Sequence, residues 1–493
     1  MLKSPIRKVV IVGRDEALWL AANVLWNSFR RTGLEIVAVE LPSQLRPADV
    51  IPTLRNQQAF HDLMRIKEAP LMAATQATFS LGQRFIGFSE SRPPFLHAYG
   101  DSGWAINRVA FHHQWVRARA KGLDVPYDDF SLNAMAALQG RFFVPAGDTE
   151  GQECDYGYHF DASAYCQVLK QVILESGIGH VAAARLNDVS RDPDSGDITA
   201  ITLPDGQTVT GDLFVDATGA ESLLLGAAMG VPFQSWAQWF PCDRILTTRA
   251  APIKAMPAFS QVTAHHAGWV AQFPLRNRTA VQQVYAGSQM TQQDALDTAA
   301  RMAATEFAEP VVRSFTAGRR QAAWSHNCVA IGEAAAVFDP IDSCSIQVIL
   351  TGLSHLTSLL PLDRDMAPEA REYNLNVLTS LERIRDYQIC HYKLNQRQGE
   401  PFWDRCRAMA VPDSLAYKLR LFEARGHLVE YDDETFLDYD WRAMLIGHGL
   451  IPRAYDIVAD HLPENELAER LQKMLGFIKT RVQAMKPMDA HFT

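Results

Sequence analysis

The first forty residues pass from an apolar run to a helical pattern and back. Residues 8–12 form an apolar run rich in β-branched side chains, which predicts a buried parallel strand. After Gly13, apolar residues at helical spacing predict a helix over residues 17–30, and residues 35–39 predict a second strand that ends at Glu40. Such a strand–helix–strand unit, closed by an acidic residue, is typical of dinucleotide binding, with the carboxylate on the adenosine ribose. A plain strand-end carboxylate is the alternative for Glu40.

The rest of the pattern divides into a mixed, a strand-rich and a helical section. Residues 41–160 are mixed, a helix is predicted from Asp161 through Ile173, and residues 182–210 are rich in strands and turns. Residues 212–219 predict a buried strand that ends in a small-residue turn, and residues 230–290 alternate as a sheet. The chain after Gly332 is predicted to be largely helical. We therefore expect one interlocked core over residues 1–360 and a helical region over residues 361–493.

Composition narrows the class of protein. The chain has 493 residues, of which 47% are hydrophobic and 21% charged, as in globular proteins with a large core. A net charge of −9 argues against non-specific nucleic-acid binding, because no strong basic field is available for phosphates. No apolar run approaches the length of a membrane span, and no secretory segment is seen. Seven scattered cysteines without a C-x-x-C pair, and no metal-ligand spacing, predict buried thiols, a cytoplasmic location and no metal site.

Three separated segments predict one cofactor site. The first is the N-terminal unit with Gly13 and Glu40, and the second is the turn at residues 216–219. In the third, a buried strand meets a Gly/Ala turn at residues 328–335 and is followed by residues 339–343. Small residues in such turns let the backbone approach a ligand, and a helix N-terminus favours negative groups.

Motifs along the whole chain resemble those of the flavin-dependent tryptophan halogenases. They include residues 78–82 (TFSLG), 95–100 (FLHAYG), 158–162 (YHFDA), 268–275 (GWVAQFPL), 327–332 (NCVAIG), 339–343 (DPIDS) and 401–403 (PFW). The resemblance runs nearly end to end. It implies an α/β fold of the flavin monooxygenase type, in which a Rossmann-like FAD-binding domain interlocks with a β-sheet substrate domain and is followed by a helical C-terminal region.

The resemblance also implies a chemistry and a set of positions. In that family, FAD reduced by a separate reductase reacts with O2, halide attacks the hydroperoxide, and hypohalous acid travels through a tunnel to an aromatic substrate. A lysine captures or orients the oxidised halogen, and a glutamate assists. The catalytic positions correspond to Ser80 (lysine) and Asp342 (glutamate). The cofactor-binding positions are Gly13, Glu40, Gly219, Gly332, Glu333, Asp339, Pro340 and Ile346. The substrate-binding positions are His97, Tyr99, Trp269, Phe273 and Trp403, with core packing as the alternative for each.

The phosphate-binding turn departs from the family's G-x-G-x-x-G pattern. Only Gly13 remains, because Asp15 replaces the second glycine and Leu18 the third. The second glycine lets the backbone approach the diphosphate, and the third lets helix and strand pack closely. Each carboxylate beside a diphosphate costs on the order of 1–4 kcal/mol in a partly desolvated site. Arg14 could offset part of that cost by pairing with a phosphate. A shifted FAD mode and no FAD binding both stay open.

The residues at the catalytic positions also differ from those of the family. Ser80 cannot form a chloramine and carries no charge. Asp342 keeps the charge of the family's glutamate but is shorter by one methylene, about 1.5 Å. A helix N-cap after Pro340 is the alternative role for Asp342. Ala271 replaces the second tryptophan of the family's W-x-W-x-I-P stretch, and Phe273 replaces its isoleucine.

These departures predict a divergent halogenase-like protein with weakened or lost FAD use and no ordinary lysine-dependent halogenation. It would act as a binding or partner subunit, as a homo-oligomer or beside a paralogue. One alternative is an active FAD-dependent halogenase or monooxygenase of an indole or other aromatic substrate, served by a flavin reductase. Another is a non-redox protein that binds a small aromatic molecule in the old pocket. No nucleic-acid or membrane partner is expected.

Overall fold

The structure, a computed structural model, describes residues 5–55, 57–143, 155–303 and 308–492. In this part of the chain, no helix is long and apolar enough to cross a lipid bilayer. Cys154 lies outside the described residues, and the other six cysteines are buried free thiols, as predicted.

The strands and helices follow one another along the whole chain. The strands are β1 (Lys8–Gly13), β2 (Glu35–Glu40), β3 (Val50–Pro52), β4 (Thr78–Ser80), β5 (Gly82–Ile86), β6 (Phe95–Ala98), β7 (Arg141–Phe142), β8 (Gly157–Asp161), β9 (Gly179–Ala182), β10 (Asp188–Arg191), β11 (Ile198–Thr202), β12 (Thr208–Thr210), β13 (Leu213–Ala217), β14 (Phe233–Ser235), β15 (Arg244–Ala250), β16 (Ser260–His265), β17 (Gly268–Pro274), β18 (Thr279–Tyr285), β19 (Ala308–Ser314), β20 (Gly318–Arg320), β21 (Trp324–Ser325), β22 (Cys328–Ala330), β23 (Ala336–Val337) and β24 (Lys486–Pro487). The α-helices are α1 (Asp15–Phe29), α2 (Gln57–Leu63), α3 (Glu68–Ala74), α4 (Phe111–Ala120), α5 (Leu132–Leu138), α6 (Ala162–Leu174), α7 (Gln292–Ala303), α8 (Ser345–Ser358), α9 (Ala367–Lys393), α10 (Pro401–Ala408), α11 (Asp413–Arg425), α12 (Asp438–Gly447) and α13 (Glu464–Ala484).

The predicted N-terminal strand–helix–strand unit forms the centre of a six-stranded sheet. Its strand order is β21-β22-β13-β1-β2-β9, and all neighbours except β21 and β22 run parallel. The strand β1 is an unbroken apolar run because helices cover the sheet, and residues 9–12 are fully buried. The helix α1 begins two residues earlier than predicted, at Asp15. Acidic side chains in its first turn are favoured by the helix dipole, so Asp15 and Glu16 support this early start.

A seven-stranded sheet confirms the predicted strand pattern of residues 230–290. Its order is β19-β15-β18-β17-β16-β5-β6, and its neighbours run antiparallel except β16 and β5. This sheet carries His97 on β6 and both Trp269 and Phe273 on β17. It therefore positions three of the five predicted substrate-binding residues.

The chain after Gly332 is largely helical, as predicted, with the short strands β23 and β24 as exceptions. The long helix α9 packs on α8, α10 and α12. Within α9, residues 384–392 are all buried, so this helix crosses the interior instead of lying on the surface. The proposed boundary at residue 360 falls between α8 and α9 and stays a prediction.

Candidate functional site

A cavity of about 700 Å³ lies beside the first turn of α1 and the turns that follow β13 and β22. Its walls bring together five of the predicted cofactor-binding residues: Gly219, Gly332, Glu333, Asp339 and Pro340. Gly13, Glu40 and Ile346 do not line it, and Ile346 is buried in α8. The cavity lies at the carboxyl ends of parallel strands, where open α/β sheets bind their ligands.

Two glycines near the cavity are required by the backbone itself. A Cβ at Gly13 would lie 2.4 Å from the carbonyl oxygen of Ala217 on the neighbouring strand. Gly332 has a φ of +56°, and a Cβ there would lie 2.9 Å from Cγ1 of Ile349. These glycines therefore fit a close approach of strand, turn and helix, whatever the cavity binds.

The carboxylates of the altered turn accept hydrogen bonds from two backbone donors, one in the loop after β2 and one at the start of α1. Asp15 Oδ2 accepts a hydrogen bond from the backbone N–H of Gln44 at 3.0 Å. The Glu16 carboxylate accepts one from its own backbone N–H, and its Oε2 lies 3.9 Å from Cys166 Sγ. Leu18, at the third glycine position, is fully buried in the core. Of the backbone N–H groups in the turn itself, that of Glu16 thus already has a negatively charged partner.

The electrostatics of this turn oppose a diphosphate as well. Burial raises the pKa of Glu16 to about 7, and the nearby charges of Asp15 and Glu333 act in the same direction. Arg14, the cation expected to compensate, has Nη2 3.3 Å from Glu221 Oε2. At about 700 Å³, the cavity has the size for a large planar ring system. The residues beside the first turn of α1 do not fit a diphosphate, because their carboxylates would repel it.

Glu40, the predicted ribose ligand, already binds two side chains of the protein. Lys170 Nζ lies 2.7 and 2.8 Å from its two carboxylate oxygens, and His180 Nε2 lies 2.9 Å from Oε2. Lys170 also lies 5.3 Å from the centre of the Trp19 ring. A ribose hydroxyl would have to share the carboxylate with these partners, so the ribose role stays a prediction.

Ser80, at the family's lysine position, is buried on β4. Its hydroxyl donates to the carbonyl oxygen of Gly82 at 3.0 Å and lies beside the phenol of Tyr99. Tyr99 in turn donates to the carbonyl oxygen of Thr53 at 3.1 Å. Across the residues that the structure describes, Lys418 is the only buried lysine, and it is bound to Glu434. No buried ammonium group without a carboxylate partner therefore replaces the missing lysine among the described residues.

Asp342, at the family's glutamate position, is held by a pair of histidines. Its Oδ1 accepts a hydrogen bond from His391 Nε2 at 2.8 Å, and His391 Nδ1 lies 2.9 Å from His448 Nε2. Burial, and then the charge of His391, lower the pKa of His448. The N-cap alternative for Asp342 is wrong, because Asp339 caps the turn Pro340–Asp342 by accepting from the Ile341 N–H. Asp342 is the last residue of that turn, so its side chain is free to bind His391.

His97 belongs to a buried charged cluster. Its Nε2 lies 3.1 Å from Asp440 Oδ1, and Arg55 Nη1 lies 2.8 and 3.1 Å from the oxygens of the same carboxylate. The hydroxyl of Tyr387 lies 3.4 Å from the His97 ring nitrogens. Although burial acts to raise it, the hydrogen bond and charge of His97 and the charge of Arg55 lower the pKa of Asp440. The position of His97 is therefore fixed by its hydrogen bond to Asp440, which Arg55 holds in turn.

Trp269, Phe273 and Trp403 lie in the core and are not among the residues that line the cavity. The indole N–H of Trp269 donates to Tyr392, whose hydroxyl donates to Asp339 Oδ2 at 2.7 Å. The indole N–H of Trp403 donates to the carbonyl oxygen of His265 at 2.7 Å. Phe273 packs against the ring of His159. These contacts favour packing for all three residues, and their substrate roles stay predictions.

Sequence reasoning missed the three histidines, the carboxylate, the arginine and the lysine that hold the predicted residues in place. They are His391, His448, His180, Asp440, Arg55 and Lys170. One signal was present, since residues 384–392 place polar side chains all around a helix and would have to bury them. In the residues described, no group of three His, Cys, Asp or Glu side chains could hold a metal ion.

Comparison with known proteins assigns the family. A sequence profile described as tryptophan halogenase matches residues 8–464. The chain belongs to the tryptophan halogenase family. Its structure is similar to BrvH, a flavin-dependent halogenase from Brevundimonas sp. BAL3, with 35% identity, a TM-score of 0.94 and 99% and 98% of the two chains covered.

Two further relatives of the tryptophan halogenase family support this assignment. Xcc4156, a flavin-dependent halogenase from Xanthomonas campestris, has 31% identity, a TM-score of 0.93 and 98% and 97% coverage. Tryptophan 6-halogenase SttH from Streptomyces toxytricini is 26% identical over 476 residues, or 90% of each chain. The predicted resemblance and the α/β flavin-halogenase fold are thus confirmed, and an oxidoreductase fold built around FAD is that of the family.

Proposed function

We propose that this protein is a divergent tryptophan halogenase homologue that has lost lysine-dependent halogenation and whose use of FAD is weakened or lost. The observation that supports this most directly is the side chain of Ser80. An oxidised halogen has to be captured or aimed by an amine or a charged donor. Ser80 offers neither, and its hydroxyl is bound to the Gly82 carbonyl oxygen.

The weakening of FAD binding is supported by the altered turn. Asp15 and Glu16 place two carboxylates where a diphosphate would bind, and Arg14 is paired with Glu221. Each carboxylate costs on the order of 1–4 kcal/mol. At about 1.4 kcal/mol per tenfold, one such contact lowers affinity by roughly ten- to thousandfold.

A binding role is the function that remains for the intact scaffold. The cavity of about 700 Å³ keeps its Gly219, Gly332 and Pro340 walls. We propose that the protein binds an aromatic small molecule or acts as a partner subunit, as a homo-oligomer or beside an active relative. A cytoplasmic location fits its buried free thiols. For a non-redox binding protein, a panel of aromatic ligands raises the melting temperature in the absence of flavin.

An active FAD-dependent halogenase or monooxygenase of an indole or other aromatic substrate is the second candidate. The observation that favours it is Asp342, a buried carboxylate at the family's glutamate position that His391 holds in place. BrvH, a relative at 35% identity, carries the name of a flavin-dependent halogenase. This candidate requires a separate flavin reductase as partner.

A product assay separates the two candidates. Wild type is incubated with tryptophan or indole, FAD, NADH, a flavin reductase, halide and O2, with the tryptophan 6-halogenase SttH and tryptophan in a parallel reaction, and products are analysed by mass spectrometry. We expect halogenated product from SttH and none from wild type above a reaction without halogenase. Halogenated product from wild type that disappears in Asp342→Asn would overturn the proposal and establish the active enzyme.

A further inference from the structure

The cavity differs in character between its two ends. One end has Phe233, Phe338 and Pro340 in its wall, apolar surfaces that suit a planar ring. The other end is the first turn of α1, where Asp15 and Glu16 line the same cavity. The apolar end is compatible with a flavin ring, whereas the α1 end carries negative charge where a dinucleotide places its own.

We propose that Asp15 and Glu16 act as an internal anion in place of the cofactor's diphosphate, so that the cavity selects a planar ring system without phosphate groups, such as riboflavin, over FAD. This selection rests on the proposed weakening of FAD binding and names the ligand class that the same cavity accepts instead.

The first support is the occupation of two backbone donors, one of them in the turn itself. The carboxylate of Asp15 is held by the Gln44 N–H, in the loop after β2, and that of Glu16 by its own N–H at the start of α1. A diphosphate would have to displace both carboxylates or lie beside them, and both outcomes bring like charges together. A neutral ring system meets no such repulsion, because it carries no group that needs these donors.

The second support is that three of the four arginines that line the cavity are paired with carboxylates. Arg14 Nη2 lies 3.3 Å from Glu221, and Arg313 Nη2 lies 3.1 Å from Asp49 Oδ1. The other two arginines in its wall are engaged as well: Arg244 with Asp243, and Arg320 with the carbonyl oxygen of Val231 and the Phe233 ring. To gain a counter-charge, a diphosphate would have to break one of these ion pairs or draw Arg320 away from the Phe233 ring.

The charge of Glu16 is set by groups from several elements. Those that face it are Asp15 on α1, Tyr165 and Cys166 on α6, Asp49 before β3, and Glu333 after β22. Apart from the neutral phenol and thiol they are carboxylates, and burial with their repulsion raises the pKa of Glu16 to about 7. Glu16 is therefore ionised above neutrality and protonated below it. FAD affinity should rise as the pH falls through 7, whereas the affinity for riboflavin should stay level.

Ligand titrations of the full chain test this selection. Dissociation constants for FAD and riboflavin are measured by flavin fluorescence at about pH 6 and about pH 8.5, on either side of the Glu16 pKa. The proteins are wild type, the isosteric variant Glu16→Gln and a control, Glu469→Gln, whose carboxylate is exposed on α13. At the higher pH we expect wild type to bind riboflavin about tenfold more tightly than FAD, one factor of ten being about 1.4 kcal/mol.

Glu16→Gln should tighten FAD binding about tenfold at the higher pH, remove its pH dependence and leave riboflavin unchanged. The control should behave as wild type. Weak binding of both ligands that Glu16→Gln does not alter would overturn the selection but leave the proposed loss of FAD use standing. Tight FAD binding by wild type at both pH values, tighter than that of riboflavin, would overturn both.

Discussion

His391 Nε2 lies 2.8 Å from Asp342 Oδ1 in the interior of the protein. The second ring nitrogen of His391 is 2.9 Å from His448, so the carboxylate ends a row of two imidazoles. Asp342 Oδ2 has no hydrogen-bond partner among the residues described. His391 is thus the side chain that holds a buried carboxylate at the family's glutamate position.

Removing the imidazole should destabilise the fold, because Asp342 would be left buried without its donor. We expect His391→Leu to lower the free energy of unfolding by about 3 kcal/mol. His391→Gln keeps an N–H donor and should cost less than half as much. Urea denaturation followed by tryptophan fluorescence measures both, and equal losses in the two variants would show that the hydrogen bond is not the stabilising contact.

Asp15 holds a left-handed backbone conformation, with φ at 53°. Glycine adopts this region without strain, whereas alanine pays about 1–2 kcal/mol. Asp15→Gly should therefore be more stable than Asp15→Ala by about 1 kcal/mol, although alanine is the better helix former. Both variants lose the bond to Gln44, so their difference in urea midpoint reports the backbone alone. A more stable alanine variant would contradict the prediction, because it would mean that residue 15 leaves the left-handed conformation when its side chain is changed.

Gly332 lies in the turn after β22 with φ at +56°, and a Cβ there would approach Ile349. Gly332→Ala should lower the melting temperature, with a loss of about 1–3 kcal/mol in stability. The matched control is Gly476→Ala on α13, where a Cβ meets nothing within 4 Å. That change should stabilise the helix by up to about 1 kcal/mol. A melting temperature that shifts in the same direction for both variants would contradict the claim that the turn requires glycine at position 332.

His61 is buried with Nε2 2.8 Å from the Tyr165 hydroxyl, and burial lowers its pKa to about 4 from the ordinary 6.5. The unfolded chain therefore binds more protons than the folded one between these values. The contribution of the neutral His61 to the free energy of unfolding is complete above the unfolded-state pKa of 6.5. It is lost as the pH falls towards the folded-state pKa of about 4.

The expected slope from His61 is about 1.4 kcal/mol per pH unit in this window. His61→Gln should make the loss of unfolding free energy on acidification smaller by that amount. Urea denaturation at a series of pH values compares the two proteins. Parallel curves for wild type and variant would rule out a neutral, buried imidazole at this position.

Much of the fold could be predicted from the sequence because strands and helices are encoded by residues close together in the chain. The strands at residues 8–13 and 35–40 follow from β-branched runs, and the helix that begins after Asp161 follows from its spacing and its N-cap. The start of α1 was missed by two residues, since the dipole of the helix favours acidic side chains that the apolar pattern does not count.

The partners of the site residues could not be predicted in this way. Asp342 and His391 are 49 residues apart, and Glu40 and Lys170 are 130 apart. Their pairing depends on how α8 and α9 pack and on how α6 packs against α1. Whether Asp15 faces the phosphate site was also open, because its bond to Gln44 depends on the path of a loop.

An FAD titration of wild type beside a double variant, Asp15→Gly with Glu16→Gln, tests most directly the claim that the turn weakens FAD binding. The variant leaves Leu18 in place, since that side chain is part of the core. Circular dichroism checks that both proteins are folded. We predict low-micromolar binding by the variant and binding by wild type that is roughly ten- to thousandfold weaker. Equally tight binding by both proteins would contradict the account.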